Sequence, residues 1–181
     1  MIYRLKNCKN GKRARYYTTV EIVDKGEELT FKFVADRCKY NCPNPYYNGF
    51  HCEGDACEIF IGTDPDKKVY YEIEVSPLND LMIAKITHKG IDKKKQPIIG
   101  VELIKENFVK SNVVAMDDGY VMEISFKKEK VFTGNGELFF NVYRLETDGE
   151  KMEKHLFALS PTMKKKFHVI ESFVCVKDYA N

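Results

Sequence analysis

The sequence lacks any long hydrophobic run and any strong net charge. Its apolar runs are only a few residues long, far short of the roughly 20 needed to span a bilayer, so we expect no membrane as a partner. Its 29 lysines and arginines nearly balance its 27 aspartates and glutamates, which leaves a net charge of +2. Because nucleic-acid binding relies on a concentrated positive field, we expect no nucleic acid as a partner either.

Motifs of catalysis are also missing. The glycines at 134–136 are not followed by the further glycine and helix of a phosphate-binding loop and are typical of a turn. Neither G-x-S-x-G nor a helix with paired histidines is present, and the four histidines are scattered. We therefore predict a non-enzyme. The alternative is a glycoside hydrolase that acts through a carboxylate pair chosen from Glu58, Glu72 and Glu74.

Residues 1–6 hold no apolar segment of a secretory signal. We therefore expect a cytoplasmic protein, or an extracellular one if the chain is truncated. In the reducing cytosol the six cysteines would remain thiols. Cys38, Cys42, Cys52 and Cys57, with His51, crowd one region, but their spacing does not match the paired C-x2-C of a structural zinc site. A metal- or haem-binding interaction domain built on Cys38, Cys42, Cys52 and His51 is a further alternative.

What the sequence does contain is a series of short alternating runs. The clearest pair, at 55–61 and 69–77, flanks a Gly/Asp/Pro turn and predicts an antiparallel hairpin. Because side chains alternate across a strand, Cys57 and Ile59 should face a core, while Glu58 and Glu72 should share the opposite face with aromatic rings.

Similar runs predict strands along the rest of the chain, at 15–23, 29–36, 81–87, 113–116, 119–126, 137–145, 151–159 and 167–176. Residues 96–100 are expected to form a connection, and residues 101–110 are the only plausible helix. Many short strands separated by turn residues indicate an antiparallel β-sandwich or barrel. We predict a single all-β domain over residues 1–181.

The long loop at 37–54 is rich in aromatic rings, which is typical of a functional loop rather than a disordered one. Rings beside polar side chains suit a sugar, because a pyranose stacks its apolar face on a ring and offers hydroxyls to carboxylates and planar donors. The candidate binding residues are Tyr46, Tyr47, Glu58, Glu72 and Arg144, and Phe50 of the loop offers a further ring.

Several blocks of the sequence resemble those of the family 9-like carbohydrate-binding modules, which are related to the DOMON-like sandwich domains. The blocks occur in the family's order and are Asp55–Ile61, Tyr70–Lys85, Gly119–Phe126, Phe140–Leu145, Ala158–Thr162 and Phe167–His168. Two departures stand out: Ser125 replaces the family's proline, and the chain has no tryptophan, whereas well-characterised members sandwich the sugar between tryptophans.

The resemblance implies an immunoglobulin-like β-sandwich that binds a mono- or oligosaccharide without catalysis, alongside a carbohydrate-active enzyme partner. It also places His168, in the closing block, among the candidate ligand-binding residues. Modules of this group can carry structural calcium, for which two acidic turns are candidates. These turns hold Asp64 with Asp66, and Asp117 with Asp118.

Overall fold

The computed structural model describes residues 1–36, 41–148 and 153–180, apart from the side chains of Cys52 and Asp148, and is built almost entirely of strands. The strands are β1 (Ile2–Arg4), β2 (Lys6–Asn7), β3 (Thr18–Asp24), β4 (Glu28–Asp36), β5 (Ala56–Gly62), β6 (Val69–Val75), β7 (Leu81–Ile91), β8 (Pro97–Leu103), β9 (Val109–Met116), β10 (Gly119–Lys127), β11 (Phe139–Asp148), β12 (Glu153–Ala158) and β13 (Val174–Cys175). Short 3-10 turns lie at His51–Glu53, Lys128–Val131, Ile170–Ser172 and Val176–Asp178.

The strands form two antiparallel sheets. The smaller sheet has the order β1-β3-β4-β10-β9, and the larger has the order β2-β12-β11-β5-β6-β7-β8, with β13 paired to β11. Side chains from the facing sides of both sheets form one apolar core. The prediction of an all-β antiparallel sandwich is therefore confirmed.

The β5–β6 hairpin has the expected alternation. Cys57 lies opposite Val75 and Ile59 opposite Ile73, and all four are fully buried in the core between the sheets. The intervening residues point to the outer face of the larger sheet, where Glu58 lies opposite Glu74. This outer face is also buried, because a second apolar cluster covers it.

Residues 160–173 cover the outer face and form the covering segment. Its part from residue 167 onward was expected to belong to the last strand of the sheet, at 167–176. Only Val174 and Cys175 pair with β11. The preceding residues lie across the sheet, and the rings of Phe167 and Phe173 stack on Tyr143 and Phe139. The prediction of a strand over 167–176 is wrong for most of its length, because these apolar side chains bury themselves on an aromatic sheet face instead of extending the sheet.

Asn141 fixes this covering segment at both ends. Its amide nitrogen donates to the carbonyl of Ser160 at 2.8 Å and to the hydroxyl of Ser172 at 3.1 Å, and its Oδ1 accepts from the Ser160 backbone nitrogen at 3.1 Å. A fully buried amide held in this way keeps the segment at a defined height above the sheet.

The helix expected at 101–110 is replaced by parts of two strands. Val101 pairs with Ile86 in β7, and Val109 pairs with Phe126 in β10. Asn107 interrupts any local helix, since its Oδ1 accepts from the backbone nitrogen of Val109 at 2.8 Å. No helix among the described residues is long and apolar enough to span a membrane.

Candidate functional site

A cavity of about 320 Å³ lies on the outer face of the larger sheet, under the covering segment. Its floor comes from β5, β6 and β7, and its walls come from β8, β11, β12, the 41–54 loop and the covering segment. The lining residues are Phe50, Glu58, Glu72, Glu74, Met82, Ile99, Val101, Leu145, Lys154, Leu156, Lys166, Phe167 and His168.

Three glutamates form the acidic floor of this cavity. Glu58 and Glu74 are cross-strand partners, and Glu72 lies two residues before Glu74 on the same face of β6. One carboxylate oxygen from each lies within 4.8 Å of the other two. Their exposed fractions are only 1% for Glu58, 7% for Glu72 and 1% for Glu74. The hairpin alternation thus concentrates three acids in a partly closed space.

This arrangement disfavours the ionised carboxylates. Burial, followed by repulsion from Glu74 and Glu72, raises the pKa of Glu58 well above its ordinary value of 4.5, and Lys154 opposes this only in part. Burial and Glu74 likewise raise the pKa of Glu72. Among the described residues, Oε1 of Glu58 is buried and accepts no hydrogen bond. The floor therefore offers a carboxyl oxygen, Oε1 of Glu58, to which no described residue donates a hydrogen bond.

His168 forms the wall next to Glu72. Its ring stacks on Phe60 with centroids 4.9 Å apart, its Nδ1 lies 2.8 Å from the Tyr70 hydroxyl, and its Nε2 lies 3.9 Å from Oε1 of Glu72. Burial, with a smaller contribution from His88, lowers the pKa of His168 to about 4. The imidazole is therefore neutral at physiological pH and is held firmly in one orientation.

The upper walls of the cavity are apolar and aromatic. Phe50 is 49% exposed at one edge, while Phe167 is nearly buried at another, and Ile99 and Val101 line the side given by β8. Lys166 also borders the cavity, but its Nζ donates to the carbonyl of Lys95 at 2.6 Å. The cavity thus combines an acidic floor with apolar sides.

A larger cavity of about 600 Å³ lies near the start of β11, but its charged groups are already matched. Lys128 lies 2.7 Å from Asp24, and Lys177 pairs with Glu137. Because its charges compensate one another, its size alone does not indicate a binding function. The acidic cavity is the stronger candidate site.

The structure brings three of the six sequence-predicted ligand residues together, since Glu58, Glu72 and His168 all line the acidic cavity. Tyr46 and Tyr47 come from the same loop as Phe50 but do not line it, and both are exposed. The Tyr47 hydroxyl donates instead to the carbonyl of Ile104 at 2.9 Å. The loop does border the cavity, but through Phe50.

Arg144 lies away from this cavity, which corrects its expected position. It shares the inner face of β11 with Phe140 and Val142, and it is only 2% exposed. Its guanidinium donates to Oγ1 of Thr18 at 2.7 Å and to the carbonyl of Asp36 at 2.7 Å, and it pairs with Glu146. These contacts use its donors inside the protein, so we assign Arg144 a structural role.

The predicted calcium turns have local structural contacts. Oδ2 of Asp64 accepts from the backbone nitrogens of Lys68 and Val69 at 2.7 and 3.0 Å, which stabilises the β5–β6 turn. Asp66 lies 3.2 Å from Nζ of Lys68. The second pair, Asp117 and Asp118, is exposed in the turn between β9 and β10. Calcium at either turn stays a prediction.

The cysteine alternative is described only in part, because Cys38 and the side chain of Cys52 lie outside the described residues. Burial and the nearby Asp55 raise the pKa of Cys42 to about 11, which keeps it a thiol. Burial also lowers the pKa of His51, which is therefore neutral at physiological pH. A metal or haem on these residues likewise stays a prediction.

Apart from His168, sequence reasoning had not assigned the cavity residues that come from β8, β12 and the covering segment. Ile99 and Val101 flank Gly100 with the alternation of a strand, a signal that was available. Phe167 lies in the family-like block with His168, whereas Lys154 and Lys166 carry no comparable signal, because only the fold places them at the cavity.

No protein-family model and no curated protein matches the sequence. Solved structures do match it. A candidate carbohydrate-binding protein from Bacteroides uniformis is similar with a TM-score of 0.72 at 15% identity, over 96% of this chain and 84% of that chain.

A family 9 carbohydrate-binding module from Caldicellulosiruptor kristjanssonii, in complex with glucose, is similar with a TM-score of 0.62 at 12% identity, over 95% of this chain and 82% of that chain. A module of the same family and organism, in complex with cellotriose, has a TM-score of 0.55 at 11% identity, over 87% and 71%. The chain has a family 9-like carbohydrate-binding-module fold. The resemblance found in the sequence blocks is thus matched by the course of the whole chain.

Proposed function

We propose that this protein is a non-catalytic carbohydrate-binding module, and that the acidic cavity holds a mono- or oligosaccharide. The observation that carries the proposal is the buried carboxylate floor under apolar and aromatic walls, in a fold shared with modules solved in complex with glucose and cellotriose. In this role the module would hold a carbohydrate-active enzyme partner near its substrate.

The chemistry of the cavity suits a sugar ring. Sugar hydroxyls can donate to the Glu58 and Glu72 carboxylates, and the unused Oε1 of Glu58 is a ready acceptor. The apolar C–H face of the ring can lie against Phe50 or Phe167, since aromatic rings contribute both apolar contact and favourable geometry. A cavity of about 320 Å³ is also in the range of small-ligand sites.

The proposed role is binding rather than hydrolysis. A glycosidase needs one carboxyl that stays protonated and one that stays ionised, and therefore two pKa values displaced apart. Here burial and repulsion from Glu74 raise the pKa of both Glu58 and Glu72. Because both pKa values are raised, neither carboxyl is kept ionised to act as a nucleophile. The pair is therefore better suited to hydrogen bonding with sugar hydroxyls than to hydrolysis.

Isothermal titration of the full chain, in the presence of EDTA, with glucose, cellotriose and a panel of other mono- and oligosaccharides tests the proposal. We expect saturable binding of at least one sugar. Glu72→Gln should weaken it about 2–10-fold, because the amide replaces one carboxyl oxygen by a nitrogen that cannot accept, and a typical hydrogen bond contributes about 0.5–1.5 kcal/mol.

Glu123→Gln is the matched control, since Glu123 is an exposed acid on β10 of the other sheet. It should leave the affinity unchanged. If none of the sugars gives heat at millimolar concentration, the proposal is wrong. Turnover of aryl glycosides by the wild type, lost in Glu72→Gln, would instead support the hydrolase.

A further inference from the structure

The acidic floor has a geometry that goes beyond what hydroxyl binding requires. Oxygens from Glu58, Glu72 and Glu74 lie within 4.8 Å of one another, and no other group of three or more potential ligands among the described residues comes as close together. Three carboxyls at such distances repel one another strongly when ionised. A positive charge placed between them would remove that repulsion.

The protein's own cations compensate this charge incompletely. Lys154 faces the floor from β12, but its effect on Glu58 is smaller than that of the two glutamates. Lys166 faces the cavity from the covering segment, with its Nζ bound to the carbonyl of Lys95 and to Oε1 of Gln96 at 3.3 Å. His168, the remaining basic group in the lining, is neutral at physiological pH.

A separate observation on Glu58 points to a ligand at the same place. Its side chain is 1% exposed and lines the cavity, and its buried Oε1 accepts no hydrogen bond from any described residue. A buried acceptor without a partner is costly. A bound ion would supply the missing partner.

We propose that Glu58, Glu72 and Glu74 bind a divalent cation, Ca²⁺ in preference to Mg²⁺, at the floor of the cavity. Calcium takes oxygen ligands at about 2.3–2.6 Å with flexible geometry, so two of its ligands can be up to roughly 5 Å apart. The observed limit of 4.8 Å meets that condition. Magnesium demands a near-ideal octahedron and usually keeps several of its waters, so three buried protein carboxylates suit it less well than they suit calcium.

The cation site lies in the cavity proposed for the sugar and shares Glu58 and Glu72 with it, but it is distinct from the acidic turns at Asp64 and Asp117. Three carboxylates leave further coordination positions of calcium open toward the cavity, because calcium takes 6–8 oxygens. Water fills those positions when the ion binds alone. The test therefore uses the ion without any sugar.

Calorimetric titration of the full, EDTA-stripped chain with CaCl₂ alone tests the proposal, together with the melting temperature at increasing CaCl₂. We expect one saturable site, a rise in melting temperature, and at least tenfold weaker binding of MgCl₂. Glu58→Gln should reduce calcium affinity at least tenfold. Because it removes repulsion, it should melt no lower than the wild type without metal.

Glu72→Gln provides an independent variant with the same expected loss, should Glu58→Gln fail to fold. Glu123→Gln and Asp117→Asn are the controls and should keep wild-type affinity. Wild-type protein that shows neither heat nor a shift in melting temperature at about 10 mM CaCl₂, roughly tenfold above the weakest Kd of protein calcium sites, overturns the proposal. Calcium binding that survives in Glu58→Gln and Glu72→Gln but is lost in Asp117→Asn also overturns it.

Discussion

Two groups of buried charges lie back to back in this protein. Arg144 pairs with Cys57 across β11 and β5, and the preceding residue pairs with Glu58. Arg144 points into the sandwich, where it contacts Asp36 and Glu146. Glu58 points to the outer face, where Glu72 and Glu74 affect it more strongly than Lys154 does. One group is compensated by opposite charge, whereas the other is dominated by like charge.

The difference separates a structural cluster from a candidate binding site. A buried ion pair with its hydrogen bonds in place is compatible with stability alone, and it needs nothing from outside. Buried like charges reduce stability unless protons, a ligand or an ion relieve them. The excess of acid on the outer face is therefore better explained by binding than by folding.

The largest expected effect comes from breaking the compensated group. Arg144→Ala should destabilise the protein by about 3–5 kcal/mol, because it removes the guanidinium that pairs with the buried Glu146 carboxylate. The free energy of unfolding in urea measures this loss. Arg13→Ala, at an exposed arginine, is the control and should change it by less than about 0.5 kcal/mol.

If Arg144→Ala melted within a few degrees of wild type and lost sugar binding, Arg144 would be a ligand-binding residue, as its sequence block predicts. The structure favours the opposite result, since the guanidinium donors already have partners inside the protein.

A smaller effect on stability should follow from a change of pH, through the glutamates of the acidic floor. Because the folded pKa of Glu58 is raised above its ordinary 4.5, the folded protein binds more protons than the unfolded chain above that pH. The contribution of Glu58 to stability is thus fully present below pH 4.5 and is lost as pH rises through its folded pKa. In Glu58→Gln this loss should shrink, so the variant gains stability relative to wild type as pH increases.

The stability contribution of His168 has the opposite pH dependence, so the experiment must separate it from the contribution of Glu58. Its pKa is lowered from 6.5 to about 4, so its contribution is present above pH 6.5 and is lost as pH falls toward 4. Melting temperatures in EDTA from pH 4 to 9, for wild type and Glu58→Gln, give the difference. A difference that does not grow with pH would show that the acidic floor carries no buried repulsion.

Much of this contrast could be predicted from alternation along the strands. The outer-face position of Glu58 and Glu72 followed from the hairpin pattern, and the same alternation places Arg144 on the core face with Phe140 and Val142. The family-like block around Arg144 suggested a ligand contact instead. Local alternation was the better guide there, because it reports directly which face a side chain occupies.

The cavity itself could not be predicted, because it depends on which distant strands become neighbours. Lys154 and Glu58 are far apart in sequence, and the sheet order brings β12 and β5 to either side of β11. The covering segment has the alternation of a strand, yet Phe167 and Phe173 pack against the sheet face. A pattern of burial does not distinguish a strand within a sheet from a segment lying across it.

The variant with the smallest expected effect tests whether the ring-rich loop at 41–54 contributes to sugar binding in the acidic cavity. Phe50 is half exposed at the edge of the cavity, so Phe50→Ala should leave stability nearly unchanged. It should weaken sugar binding about 2–10-fold, because an aromatic contact contributes about 0.5–1.5 kcal/mol. Tyr46→Ala, at an exposed ring outside the cavity, is the matched control in the same calorimetric titration. A larger loss in Tyr46→Ala than in Phe50→Ala would move the sugar from the acidic floor to the outer surface of the loop, and the buried glutamates would then need another explanation.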